Sequence, residues 1–165
     1  ETCCGMILVP TKDIHLIEDY IKPLLVESSE NVISHNYETA DDCLYKLKKG
    51  SFLLFSTIPI EFIVVVFIEI KENTKRLYVS KIAGNNYRKH VKDAMLTIEF
   101  FAKTIGCSDI IVYARLGTTK DLFRFGFEEI IYKKKHIQVI KAIGDSTQVF
   151  AQGEDAFSAE PRSNS

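Results

Sequence analysis

The residues best suited to chemistry are four basic side chains that crowd the start of a predicted long helix: Arg88, Lys89, His90 and Lys92. Partial positive charge gathers at the N-terminus of a helix, so cations there oppose the helix dipole. A helix that binds nothing usually carries Asp or Glu at this position. The cluster therefore predicts an anion site, for a phosphate, a carboxylate or an acidic protein surface. The alternative is a solvated basic turn on a helix that buries its opposite, apolar face.

Side chains that could move a proton are sparse. Glu69 lies near the end of one apolar strand and Tyr113 lies on another, and both are candidates for acid–base catalysis. Glu61, at the start of the same strand as Glu69, is a further candidate carboxylate. The alternative for Glu69 is an outward-facing strand residue, and for Tyr113 a packed aromatic ring with a solvated hydroxyl.

Neither the histidines nor the cysteines follow a metal-binding pattern. The four His are scattered with no pair at i,i+4, and the four Cys include no Cys-x-x-Cys pair. We therefore predict no metal site. We expect Cys43 and Cys107 to be reduced thiols that pack as small hydrophobic residues.

Composition limits the class of partner. The chain has 165 residues, enough for one domain, and a net charge of −1, which argues against nucleic acid as the main partner. The longest apolar run, residues 62–68, is too short to span a bilayer. We expect a cytoplasmic protein without a membrane segment, whose partner is an acidic protein surface or a small anionic ligand.

Apolar periodicity divides the N-terminal half into strands and helices. Pro23 should kink or end the first helix, and residues 27–37 are predicted to form a polar loop. Thr39 and Asp42 form a capping box that starts the second helix, and Gly50 ends it. The predicted elements are a strand at 6–9, a helix from 13, a helix over 40–49, and strands at 52–57, 61–71 and 76–83.

The C-terminal half places a long helix between two strands. The strands that begin at Leu77 and Asp109 should be adjacent and parallel, joined by that helix in a right-handed crossover, and they should part near Ala83 and Arg115. Residues 1–143 are predicted to form one domain, and the polar segment 144–165 a flexible tail. The remaining predicted elements are a helix over 87–106, a strand over 109–115, a short helix over 118–125, and strands at 128–133 and 136–143.

The resulting order, β-α-α-β-β-β-α-β-α-β-β, is an α/β (α+β) arrangement with a mixed, mostly antiparallel sheet. The stretch from Leu77 to Phe127 reads strand, turn, long helix, strand and short helix ending in Gly-Phe. It resembles the acyl-CoA-binding half of the GNAT acyltransferase fold, and the likeness extends over residues 6–143. The resemblance implies a GNAT-like fold.

The resemblance also implies a place for CoA. In GNAT enzymes a Q/R-x-x-G-x-G/A pattern at the long helix lets backbone N–H groups hold the CoA diphosphate. The nearest match here is 88–93, in which Val91 and Asp93 stand at the small positions. We therefore expect acetyl-CoA to bind weakly, with Kd on the order of 0.1 mM or worse. The residues implied in binding are Ser80, Ile82, Ala83, Arg88, Lys89, His90 and Lys92.

Proton-transfer groups of the family are altered in this chain. GNAT enzymes often use a Glu near the fourth strand as general base, but residues 77–83 contain no carboxylate. A Tyr in the short helix before Gly-Phe is commonly the general acid, and Phe123 stands at the matching position. Phe cannot donate a proton, which leaves Glu69 and Tyr113 as the candidates.

Two functions from different classes follow. The first is a GNAT-fold binding or assembly component without catalysis, from a virus. This reading draws on a likeness of 86–89 and 122–129 to degenerate GNAT-like internal virion proteins of T7-like phages. The second is a divergent N-acetyltransferase that moves an acetyl group from acetyl-CoA to an amine, using backbone groups between strands that open at Ser80 and Tyr113.

Overall fold

A computed structural model describes residues 5–30, 38–115, 119–132 and 136–143, and side chains within 5–28, 38–113, 122–128 and 140–143. The predicted tail 144–165 and residues 133–135, between the last two strands, lie outside these residues. The strands are β1 Ile7–Val9, β2 Leu53–Ser56, β3 Phe62–Lys71, β4 Thr74–Gly84, β5 Asp109–Arg115, β6 Glu128–Tyr132 and β7 His136–Ala142. The helices are α1 Ile14–Glu30, which follows a 3₁₀ turn at Thr11–Asp13, α2 Ala40–Lys49, α3 Tyr87–Thr104 and α4 Thr119–Arg124.

The strands form one seven-stranded sheet in the order β1-β2-β3-β4-β5-β7-β6. Its neighbours are antiparallel except β4 and β5, which are parallel and are joined in sequence by α3. A parallel pair needs a long crossover, and the 18-residue α3 supplies it. The predicted order of elements, the mixed sheet and the parallel pair are confirmed.

Alternation along β3 divides the core into two layers. Phe62, Val64 and Val66 pack in a cluster with α3, while Ile63 and Val65 pack in a cluster with α1 and α2. All five side chains are buried, because successive strand residues point to opposite faces and helices cover both. The sheet therefore has an α3 face, which α4 shares through Leu122, and an α1/α2 face.

The first helix is longer than predicted. We expected Pro23 to kink or end it and residues 27–37 to be a loop, but α1 continues through Pro23 to Glu30. Ile21 and Leu25, on either side of Pro23, are fully buried against α2 and the sheet. Their burial outweighs the single backbone hydrogen bond that proline removes. The structure bears out the capping box of α2, in which Thr39 Oγ1 accepts from the Asp42 N–H at 3.0 Å.

Candidate functional site

The two parallel strands part in the middle of the sheet. Their pairing runs from Arg76 opposite Asp109 to Val79 opposite Val112 and stops there. Beyond that point β4 remains paired with β3 as far as Gly84, and β5 with β7 as far as Arg115. The backbone groups of β4 and β5 that face each other past Val79 thus border an opening. The predicted parting of the strands is confirmed, and it begins earlier along β4 than Ala83.

A bulge in β4 lies at the vertex of this opening. Val65 pairs with Lys81 and Val66 pairs with Val79, so Ser80 is the extra residue of β4. A bulge reverses the alternation of side chains that follow it. Lys81 consequently lies in register with Val65 on the α1/α2 face, and Ile82 packs against the α3-side core. Ser80 is at the opening, as predicted, whereas Ile82 and Ala83 direct their side chains to the two cores and offer only backbone.

The turn from β4 into α3 is shaped by Gly84. Its φ is +138°, and a Cβ at this position would lie 2.3 Å from the carbonyl oxygen of Glu61 and 2.6 Å from Phe62 Cα. Only glycine permits this approach of two backbones. The N–H of Asn85 then donates to the same Glu61 oxygen at 2.8 Å. The start of β3 therefore fixes where α3 begins.

The α3 N-terminus has no side-chain cap. Asn86 precedes the helix in a left-handed conformation with φ of +57°, and its carbonyl accepts the N–H groups of Lys89 and His90, at 2.9 and 3.2 Å. The Asn86 side chain makes no capping hydrogen bond, and no acidic residue stands in the first turn. The helix dipole at this end is therefore not offset within α3 itself.

The predicted basic cluster divides into exposed and half-buried members. Arg88, Lys89 and Lys92 are exposed, but the His90 side chain is only 13% exposed. His90 Nε2 lies 2.6 Å from Glu61 Oε1, and the His90 ring packs against Phe62 at a centroid distance of 5.3 Å. Three members are thus exposed to solvent, whereas the His90 ring is enclosed by Glu61 and Phe62.

Glu61 is the anion at the start of α3. Its carboxylate accepts the hydrogen bond from His90, and Lys89 Nζ lies 3.8 Å from the same oxygen. The hydrogen bond to His90, aided by the charges of Lys89 and His90, lowers the pKa of Glu61 below its ordinary value. Glu61 therefore remains charged at neutral pH and occupies the cationic end of the helix.

Val91 and Asp93, which stand at the two small positions of the CoA pattern, are buried and half-buried on α3. Val91 is 5% exposed and belongs to the α3-side core, so its side chain points at the sheet. Asp93 is half-buried, and its carbonyl accepts from Thr97 Oγ1 at 2.8 Å.

The two candidate proton-transfer residues both contact Tyr78, from different positions along the sheet. Glu69 lies on β3 opposite Arg76 of β4, seven residues and therefore about 23 Å along the strand from Phe62. Its carboxylate accepts a hydrogen bond from the Tyr78 hydroxyl at 3.1 Å. Tyr113 is the first residue of β5 beyond the paired stretch, and its ring stacks on Tyr78 at 6.1 Å. Tyr113, which is 41% exposed, therefore stands beside the opening, and Glu69 does not.

Sequence reasoning missed a cluster of charges on the α1/α2 face. Glu38, just before the first residue of α2, places Oε1 3.5 Å from Lys81 Nζ and Oε2 2.6 Å from Lys46 Nζ. The Lys81 and Glu38 side chains are 10% and 13% exposed. Burial first, and then the charge of Glu38, raises the pKa of the neighbouring Cys43 thiol to about 12. Cys43 is therefore protonated and not a nucleophile. Only topology brings Glu38 to β4, so no local pattern could have revealed it.

Phe123 of α4, at the position that matches the general acid of GNAT enzymes, is 44% exposed. Within the described part of the chain, no group of three His, Cys, Asp or Glu side chains is arranged to hold a metal ion. In the same residues, no helix has the length and apolar character required to cross a membrane.

Several solved structures of acetyltransferases have the same architecture. An aminoglycoside 6'-acetyltransferase type Ii superposes with a TM-score of 0.64 at 9% identity, over 83% of this chain and 96% of its own. The PaiA N-acetyltransferase from Thermoplasma acidophilum, in complex with coenzyme A, gives 0.60 at 10% identity, over 86% and 100%. The polyamine N-acetyltransferase of Drosophila melanogaster gives 0.59 at 10% identity, over 84% and 100%. No family model and no curated protein matches the sequence. At these identities the likeness establishes the GNAT fold alone.

Proposed function

We propose that this protein binds an acyl-CoA in the opening between β4 and β5 and transfers the acyl group to an amine. The observation that carries the proposal is the end of β4–β5 pairing at Val79 and Val112, with the Ser80 bulge at the vertex. Backbone N–H and C=O groups along this edge suit the amide groups of a pantetheine arm. Parallel neighbours in a sheet normally stay paired, so an opening here requires a reason.

The start of α3 fits the phosphate end of the same ligand. It lies directly past β4, lacks a side-chain cap and carries the exposed cations Arg88, Lys89 and Lys92. Backbone N–H groups at a helix start favour a diphosphate. Glu61 opposes this, because its carboxylate already lies at this end. The fit supports binding that is weak, in keeping with the Kd of about 0.1 mM or worse predicted from the sequence.

The test is an NMR titration of the full chain with acetyl-CoA, with pyrophosphate as the control ligand. Acetyl-CoA should shift the amide signals of residues 80–90 and of 112–113, while the β3–β4 turn at Glu72 and Asn73 stays unchanged. Pyrophosphate should shift only the signals near the α3 start. Acetyl-CoA at millimolar concentration that leaves residues 80–84 and 112–113 unmoved would refute the proposal.

A second candidate is a binding or assembly component without turnover. Three observations favour it: β4 carries no carboxylate between 77 and 83, Phe123 cannot donate a proton, and three exposed cations stand on one turn of a chain with net charge −1. Such a patch would attract an acidic protein surface. Release of free CoA thiol from bound acetyl-CoA separates the two candidates, since the second predicts binding with no thiol release. The virion role stays a prediction.

A further inference from the structure

Lys81 is an unusual residue for the wall of an acyl-CoA site. The Ser80 bulge rotates it onto the α1/α2 face, directly after the vertex of the opening. Its side chain is 10% exposed, and its ammonium lies 3.5 Å from Glu38 Oε1. A lysine this enclosed, with a carboxylate oxygen beside its ammonium, is held in one place and shielded from bulk solvent.

The opposite wall of the vertex is aromatic. Tyr113 follows Val112, where β5 leaves β4, and its ring lies on the face that Tyr78 and Lys81 share. The α3 start, where the phosphate end of the donor would lie, is on the other face. A donor running along the opening from α3 toward Ser80 therefore presents its acyl end between Lys81 and Tyr113.

We propose that Lys81 is itself an acyl acceptor of this protein, an inference that rests on the proposed function. Glu38 first takes one proton from the Lys81 ammonium and passes it to water, which leaves a lone pair on Nζ. That lone pair attacks the thioester carbonyl carbon, a C–N bond forms and the C–S bond breaks, and the sulfur leaves with the bonding electrons as CoA thiolate. The second proton that Nζ gives up passes to the Glu38 carboxylate and from there to the thiolate. The products are Nε-acyl-Lys81 and free CoA thiol.

Glu38 has a defined part in this step. An amine must be neutral to attack, so a proton acceptor within reach of Nζ is needed. Glu38 is the carboxylate at Lys81, and Lys46 holds its second oxygen at 2.6 Å and thereby fixes its orientation. Glu38 therefore supplies, next to Lys81, the carboxylate that β4 itself lacks between residues 77 and 83.

The experiment incubates the folded full chain with acetyl-CoA at neutral pH and follows acetylation of each lysine by peptide mass spectrometry. Three lysines serve as internal controls: exposed Lys89 and Lys92, and Lys75, which lies on β4 as Lys81 does and donates to the Ile105 carbonyl at 2.8 Å. Chemical acetylation in solution favours exposed amines. Lys81 should instead be acetylated at least tenfold faster than any of the three.

Two further measurements test whether the preference for Lys81 depends on the fold and on Glu38. In urea-unfolded protein the preference for Lys81 should vanish, because it depends on the fold. In Glu38→Gln the Lys81 rate should fall about tenfold, with Lys92 unchanged. Lys81 acetylated no faster than Lys75 overturns the inference. Acetyl-CoA binding by calorimetry with Lys81 unmodified overturns it too and leaves the proposed function standing, whereas no binding at all removes both.

Discussion

The turn that joins β4 to α3 depends on one missing side chain, and replacing Gly84 with Ala tests that dependence. The added Cβ would lie 2.3 Å from the Glu61 carbonyl oxygen and 2.6 Å from Phe62 Cα, both backbone atoms that no rotamer change can move. To restore a contact of roughly 3.4 Å, β3 and β4 must separate by about 1 Å at this end. The Asn85 N–H to Glu61 hydrogen bond would be stretched by the same shift.

The expected cost has two parts. A non-glycine residue at φ +138° is strained by about 1–3 kcal/mol, and forcing atoms into a packed site adds about 1–3 kcal/mol. Gly106 supplies a matched control, since its φ of +85° is also positive but no atom lies within 4 Å of an added Cβ. Gly106→Ala should therefore cost only about 1 kcal/mol. The difference between the two variants isolates the contact with β3.

Urea unfolding measures both variants against the parent chain. We expect Gly84→Ala to lower the free energy of unfolding by about 2 kcal/mol more than Gly106→Ala, which corresponds to a further drop in Tm of about 4–8 °C. Acetyl-CoA binding should weaken in Gly84→Ala and stay unchanged in Gly106→Ala, because only the first displaces the α3 start. Equal losses of stability would refute the argument that close backbone approach fixes this turn.

Three further variants test the charges and the core around the α3 start. Glu61→Gln should strengthen pyrophosphate and acetyl-CoA binding severalfold by calorimetry, because a competing carboxylate is removed; weaker binding would contradict this. The lowered pKa of Glu61 stabilises the fold at pH above the unfolded pKa, and this effect is lost as pH falls through the folded pKa. The Tm of the parent chain and of Glu61→Gln should therefore converge once the pH lies below the folded pKa. Val91→Gly should lower the free energy of unfolding by about 3 kcal/mol without improving acetyl-CoA binding, and a gain in affinity would revive its place in the ligand site. Replacing Arg88, Lys89 and Lys92 together with Gln should reduce salt-sensitive binding of pyrophosphate or an acidic partner, while thermal unfolding stays unchanged or rises slightly; a fall of more than a few degrees would show that these residues hold the fold.

Local signals were sufficient for most of the fold. The Thr39 capping box and Gly50 predicted where α2 begins and ends, and the apolar run after Glu61 predicted the central strand. The exception was α1, where Pro23 suggested a break. Proline removes one hydrogen bond locally, whereas the burial of Ile21 and Leu25 that keeps the helix intact depends on α2 and the sheet, which no short window contains.

The candidate site was predictable only in part, because its geometry depends on register. The basic cluster followed from the residues at the start of the long helix, and the opening at Ser80 was implied by the GNAT resemblance. The burial of Val91 could not be foreseen, because a pattern aligned by sequence does not show which face of α3 meets the sheet. Glu38 and Glu61 gained their roles from lysines and a histidine that are distant in sequence. Such pairings are set by tertiary structure.

The two carboxylates explain how this chain tolerates cations in unfavourable places. Cations at the start of α3 oppose the helix dipole, and Glu61 offsets them from the neighbouring strand, outside the helix. Lys81 would be costly to bury alone, and Glu38 offsets it from the approach to α2. Glu61 and Glu38 both belong to segments outside β4 and α3. The β4 edge of the opening carries no negative side chain of its own. A negatively charged ligand bound as we propose would meet lysine or backbone along β4, with Glu61 as the competing carboxylate at the helix start.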